Sequence, residues 1–201
     1  KTEVGAGKLA GMRERIGIVA PSSAVVREDL ERGVRKIRAE GLEVRIHPQC
    51  RKRGGLYAGR DEERAAAFLD FAYDATLDGL WCARGGYGAS RILPLLEQHT
   101  LKQGEPPQKL LAGFSDATVL LEFARTRWRW PVLHAPMPGV KSFQKLRGEY
   151  WSSLVRAVRG EVDRLRPLSF PWQGKRLTCL NPGKNSVEGP LCGGNLAVWA
   201  G

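Results

Sequence analysis

Five short apolar runs, at residues 16–20, 42–46, 80–83, 110–114 and 131–135, constrain the fold more than any other feature of the chain. Each is too short for a helix and is bounded by glycine, proline or polar turns, as buried strands are. The stretches between them change period. Leu30, Val34 and Ile37 recur at spacings of four and three, which is one helix face, and Gly41 closes that helix. Asp61 is expected to cap a second helix, with Glu62 and Glu63 in its first turn and Ala65, Phe68, Leu69, Ala72 and Tyr73 inward. Residues 92–98 read as a third helix, in which Pro94 must lie in the first turn or at a kink. Residues 101–108 read as a polar loop. After 110–114 the apolar residues Val119, Leu120, Leu121, Phe123 and Ala124 take helical spacing. Strands alternating with helices predict an α/β fold, an open and mostly parallel sheet with helices on both faces. In such sheets ligands bind beyond the carboxyl ends of the strands.

The pattern changes after about residue 140. Residues 149–159 form an amphipathic helix carrying Trp151, Leu154, Val155 and Val158. Beyond it Leu165, Leu168, Phe170, Trp172, Leu177 and Leu180 lie among prolines and basic residues. The chain is therefore expected to divide into a polar extension (1–15), an α/β nucleophile domain (16–145), a linker helix and connector (146–172), and the beginning of a cut-off second domain (173–201). No apolar run approaches the roughly 20 residues of a membrane span, and the polar start carries no secretory signal. The four cysteines are far apart, with no CxxC pair and no metal-ligand spacing to the three histidines. Cys82, inside an apolar run, is expected to be a buried free thiol, which suits a reducing cytoplasm. The net charge of +11 requires nucleic acid to be weighed. The basic residues are scattered, however, and no recognition helix, zinc-finger spacing or aromatic RNA-binding motif accompanies them. They read as a solvated surface or one facing an acidic partner.

The chemistry concentrates in two turns. At Leu111-Ala112-Gly113-Phe114-Ser115-Asp116 an apolar run ends in glycine, and a serine follows two residues later, just before a helix. Such a turn lifts the hydroxyl toward the unpaired amides that open the helix. Ser115 could there attack a carbonyl whose oxyanion meets ready donors, or it could simply cap the helix. The nucleophile-elbow pattern has a second glycine where this chain has Ala117. The second turn, Arg84-Gly85-Gly86-Tyr87-Gly88, could let amides converge on an anion, lend a donor to Ser115, or be an ordinary strand-to-helix turn. It lacks a P-loop's lysine and hydroxyl. His134, closing the fifth run, is a candidate base. His47 and His99 read as surface or loop residues. The Asp116 carboxylate is expected to point away from Ser115, leaving its backbone amide as the useful group.

Five segments then occur in a distinctive order: Ile18-Val19-Ala20-Pro21-Ser22-Ser23, Arg84-Gly85-Gly86-Tyr87-Gly88, Gly113-Phe114-Ser115-Asp116, His134-Ala135-Pro136-Met137, and Gly189-Pro190-Leu191-Cys192-Gly193-Gly194-Asn195-Leu196. In this the chain resembles the LD-carboxypeptidase family of serine peptidases, which includes muropeptide carboxypeptidases and microcin-immunity peptidases. The resemblance implies a flavodoxin-like first domain followed by a swivelling β/β/α domain, a cytoplasmic homodimer, and no metal or cofactor. It implies release of a C-terminal D-amino acid from murein tetrapeptide in peptidoglycan recycling. The nucleophile falls on Ser115 and the oxyanion-hole amides on Asp116 and Gly86. Arg84, Gly85, Tyr87 and His134 are expected to contact substrate. The family's catalytic glutamate and histidine belong to the second domain, past residue 201, so His134 is not the family's base and this chain alone is expected to be nearly inactive. The alternatives are an immunity-type peptidase acting on an aminoacyl-nucleotide antibiotic, or a non-catalytic domain binding peptidoglycan peptides or, less readily, nucleic acid.

Overall fold

The computed structural model describes residues 14–161 together with Asn195 and Val198. Nearly all of the expected extension, the end of the connector and most of the second-domain segment therefore lie outside the described residues. Five strands form one sheet: β1 (Arg15–Val19), β2 (Glu43–Ile46), β3 (Gly79–Cys82), β4 (Leu110–Gly113) and β5 (Val132–His134). Their spatial order is β2-β1-β3-β4-β5 and every pairing is parallel. This is the flavodoxin-like order, whose topological switch point lies between β1 and β3.

Among the described residues six α-helices cover the sheet: α1 (Arg27–Arg38), α2 (Asp61–Tyr73), α3 (Ala89–Gln103), α4 (Thr118–Arg127), the short α5 (Lys141–Gln144) and α6 (Gly148–Arg159). Alternate strand residues point to opposite faces, and the two layers follow from this. Ile16, Ile18, Trp81 and Ala112 pack with Leu30, Val34 and Ile37 of α1, Phe143 of α5 and Val158 of α6. Val19, Leu80, Cys82 and Leu111 pack with Phe68 and Phe71 of α2, Ile92 and Leu96 of α3, and Leu120 and Ala124 of α4. The expected fold class is present, and the sheet is parallel throughout the described residues. Helix α6, expected as a connector, is fastened to the α1 layer. The Trp151 indole donates to Glu40 at 2.6 Å, the Arg159 guanidinium donates to the Glu40 carbonyl, and the Lys36 ammonium sits 4.3 Å over the Trp151 ring.

Two local expectations differ from the structure. Asp61 is the first residue of α2 rather than its cap. The Glu63 carboxylate reaches back to the Arg60 amide at 2.9 Å, while Asp61 pairs with Arg64 and Arg91. Helix α3 begins at Ala89 and runs to Gln103, so Pro94 lies in its second turn and the following loop starts only at Gly104. The early start has no local cap. The Ala89 amide donates instead to the Asp116 carboxylate, 27 residues away in sequence, at 2.9 Å. No helix among the described residues is long and apolar enough to cross a membrane.

Candidate active site

The loops that leave the carboxyl ends of β1, β3 and β4 converge at the switch-point edge. Strand β4 ends at Gly113, and Ser115-Asp116-Ala117 forms a single 3-10 turn leading into α4. Ser115 has φ +61°, in the left-handed region, where a residue with a Cβ carries strain on the order of 1 kcal/mol. It caps nothing: its hydroxyl makes no hydrogen bond among the described residues. The elbow without its second glycine is explained by Gly113. A Cβ on Gly113 would stand 3.0 Å from the Ala117 Cβ and 3.2 Å from the Cys82 Cβ. Absence of a side chain at 113 makes the room that Ala117 fills, and Ala117 is wholly buried.

The glycine-rich turn packs against this elbow. A Cβ on Gly85 would stand 3.0 Å from the Ser115 Cβ and 3.2 Å from its Oγ, so the hydroxyl faces the Gly85 backbone. Gly86 and Gly88 have φ +111° and +103°. Gly85 and Gly88 are buried and Gly86 is exposed, so the turn presents its middle to solvent. Ser23, in the loop after β1, holds it from the other side. The Ser23 amide donates to the Gly85 carbonyl at 3.3 Å, and the Ser23 hydroxyl accepts from the Tyr87 amide at 3.1 Å. The amides of Ser115 and Asp116 open a helical turn, where N–H groups have no intrahelical acceptor. The Asp116 carboxylate is turned away from Ser115, as expected, and closes the start of α3.

The remaining expected residues fall around this center. The Tyr87 side chain is exposed. Arg84 is exposed and donates to the Ala24 carbonyl at 2.9 Å, which ties the glycine turn to the loop after β1. His134 ends the strand beside Ser115's own, in register with Gly113. Its ring meets the edge of Phe114, centroids 6.0 Å apart, and no hydrogen bond joins it to Ser115 among the described residues. Phe114 and His134 also line a groove of about 470 Å³ that runs to Leu146, Tyr150 and Leu154. His47 contacts Asp70 and Phe71, and His99 contacts Tyr73, away from this edge. Cys50 and Cys82 are free and buried, and burial pushes both thiols up to about 12. Among the described residues no three His, Cys, Asp or Glu side chains gather as metal ligands do.

Three residues absent from the expected site belong to it by position. Ser23 stands in the first of the five family-like segments, where no role was read for it. Met137 puts its terminal methyl 3.3 Å from where a Gly85 Cβ would be. Arg64, wholly buried, donates to the carbonyls of Pro21 and Gly88. Its sequence signal was a charge on the apolar face of α2, four and seven residues before Phe68 and Phe71. Distant motifs also meet: the Asn195 amide donates to the buried Thr118 hydroxyl at 3.2 Å, three residues after Ser115.

The chain is similar to known proteins in sequence and in fold. Residues 16–135 match the LD-carboxypeptidase N-terminal domain. A Streptomyces coelicolor protein that bears a carboxypeptidase name is 36% identical over 190 residues, covering 92% of this chain and 57% of its own length. The murein tetrapeptide carboxypeptidase of Pseudomonas aeruginosa is 31% identical over 195 residues, covering 92% of this chain and 59% of its own. The chain thus spans little more than half the length of these relatives. The wild-type apo structure of the microcin C7 self-immunity protein MccF superposes with a TM-score of 0.63 over 73% of this chain and 44% of that one. At 20% identity that likeness shows the shared fold. The domain match and the sequence relatives together place the assignment beyond the fold: this chain belongs to the LD-carboxypeptidase family.

Proposed function

We propose that the chain is the nucleophile half of a serine LD-carboxypeptidase that releases a C-terminal D-amino acid from murein tetrapeptide. The observation that carries this reading is Ser115 itself: a serine held at φ +61°, its hydroxyl unused for capping and set against the glycine turn. In the proposed reaction the Ser115 oxygen attacks the scissile carbonyl and its proton passes to a base. The carbonyl oxygen becomes an oxyanion bound by the amides of Asp116 and Gly86, an interaction worth about 3 kcal/mol per donor in such sites. Collapse breaks the peptide bond, the amine leaves as D-alanine after taking the proton, and water then resolves the acyl-serine. Arg84, Gly85, Tyr87 and His134 border the substrate. His134 faces Phe114, which argues for a base and an orienting acid supplied from the half of the relatives that this chain does not span. Cytoplasmic peptidoglycan recycling is the setting that fits a murein peptide substrate.

The test is D-alanine release from murein tetrapeptide by the 201-residue chain, and by a chimera in which it replaces the matching half of the Pseudomonas relative. The chimera is expected to turn over, its Ser115→Ala variant to bind without release, and the chain alone to be nearly inert. Robust turnover by the chain alone would sink the divided site and make His134 the base. Cleavage of an aminoacyl nucleotide in preference to the tetrapeptide would move the substrate assignment to the immunity-type class. Binding without any Ser115-dependent release would leave a binding domain.

A further inference from the structure

We propose that Arg64 is a positioning residue for the oxyanion-binding turn, a role that rests on the serine-peptidase reading above. Arg64 sits in the first turn of α2 and has no exposed surface. Burying a guanidinium is costly unless its charge and its donors are matched. Three partners match its two terminal nitrogens, while the buried Nε has no hydrogen-bond partner among the described residues. One terminal nitrogen donates both to the Pro21 carbonyl and to the Gly88 carbonyl, the latter at 2.8 Å, and the other donates to the Asp61 carboxylate. Asp61 is shared with Arg91 of α3 at 2.8 Å. The Tyr57 ring covers the Arg64 guanidinium at 5.2 Å.

What these partners have in common is the site. Pro21 begins the loop whose Ser23 holds Gly85 and Tyr87, and Gly88 ends the glycine turn. One planar group therefore fixes both segments that flank Gly86, from behind, without reaching the substrate side. Asp116 fixes the same turn one residue later, through the Ala89 amide. The Gly86 amide, at φ +111° on an exposed arc, has no side chain or regular ladder of its own to hold it. Its direction depends on the two clamped ends. An arginine suits this task because its rigid fork gives one nitrogen to the two carbonyls and the other to the Asp61 carboxylate, whereas a lysine's single ammonium would have to serve all three partners from one point.

The test compares Arg64→Lys with the parent in two measurements. Amide hydrogen exchange in the 201-residue chain is expected to speed at Tyr87 and Ser23 by about 10-fold or more, while amides of β3 and β4 hold their protection, because local opening and global unfolding separate. In the chimera described above, kcat is expected to fall by about 100-fold with KM within about 3-fold, the signature of a misplaced transition-state donor. Asp61→Asn, which keeps the arginine but frees its fork, serves if the lysine variant does not fold. Its kcat is expected to fall by about 10-fold, with the same local exchange pattern. Uniform loss of protection across sheet and turn, or a loosened turn with kcat unchanged, would overturn the proposal. A parent chimera with no D-alanine release would sink the functional reading instead, and the positioning role with it, leaving the exchange result as a statement about the loop alone.

Discussion

The two edges of the sheet are made of the same parallel strands but use their polar groups in opposite ways. At the edge where strands begin, the charged groups are matched, although the buried Trp130 indole N–H has no hydrogen-bond partner among the described residues. The buried Lys109 ammonium donates to the carbonyls of Asp74 and Leu77 at 2.8 and 2.9 Å. The Asp78 carboxylate accepts from the amides of Glu14 and Arg15, and Asp74 holds Arg45 and Thr76. At the edge where strands end, Ser115 is strained, its hydroxyl has no partner among the described residues, and Gly86 stands exposed with φ +111°. The first edge satisfies its groups for stability. The second leaves the Ser115 hydroxyl, the nucleophile of the proposed reaction, without a partner among the described residues, and sets Ser23, Arg64 and Asp116 behind the glycine turn. The contrast teaches that a candidate reactive edge stands out by what it leaves unpaired as much as by the residues it contains.

The contrast can be broken most sharply at Ser115. Ser115→Ala in the chimera is expected to lower D-alanine release by about 1000-fold or more, with thermal stability within about 0.5 kcal/mol of the parent. A stability loss as large as the activity loss would make Ser115 structural. At the opposite edge, Lys109→Met should destabilise the chain by about 2 kcal/mol, since it strands two carbonyls in a buried setting. Urea unfolding reads this, and a neutral result would show that edge to be less saturated than described. Ser115→Gly should act in the reverse sense, raising stability by about 1 kcal/mol as the left-handed strain is released. A lower melting temperature would remove the argument that the elbow is strained.

The smallest effect concerns pH. The Arg60 amide, then the Lys52 ammonium, lower the Glu63 carboxyl from 4.5 to about 2. A carboxyl held below its ordinary value stabilises the fold fully above that value, and this is lost as pH falls through the lowered one. Glu63→Gln should therefore be slightly less stable than the parent at pH 7, with the difference closing between about pH 4.5 and about 2. Parallel stability curves across that window would count against the ion pair.

Much of this was legible in the chain because local signals and tertiary structure agree. The apolar runs gave the strands, and the glycine before Phe114-Ser115 gave the elbow. What escaped notice depended on distant partners. Asp116 starts α3 from 27 residues away, so the beginning of that helix carried no readable cap. Asp61 looks like a cap by residue type, yet two arginines claim its carboxylate. Arg64 on an apolar face reads as a flaw in the helix pattern until the carbonyls of Pro21 and Gly88 are seen behind the glycine turn. His134, which is adjacent to the site in register, turned out to face Phe114.

The close approach between positions 113 and 117 couples substitutions at the two sites. A Cβ at 113 would stand 3.0 Å from the Ala117 methyl, so one of the two would have to shift by a few tenths of an ångström. Adding a side chain at 113 first would crowd both Ala117 and Cys82, whereas trimming 117 first would remove the nearest of these contacts and leave Cys82 to yield. The order of substitution therefore sets the cost, and a side chain at 113 is expected to cost more beside Ala117 than beside a glycine there.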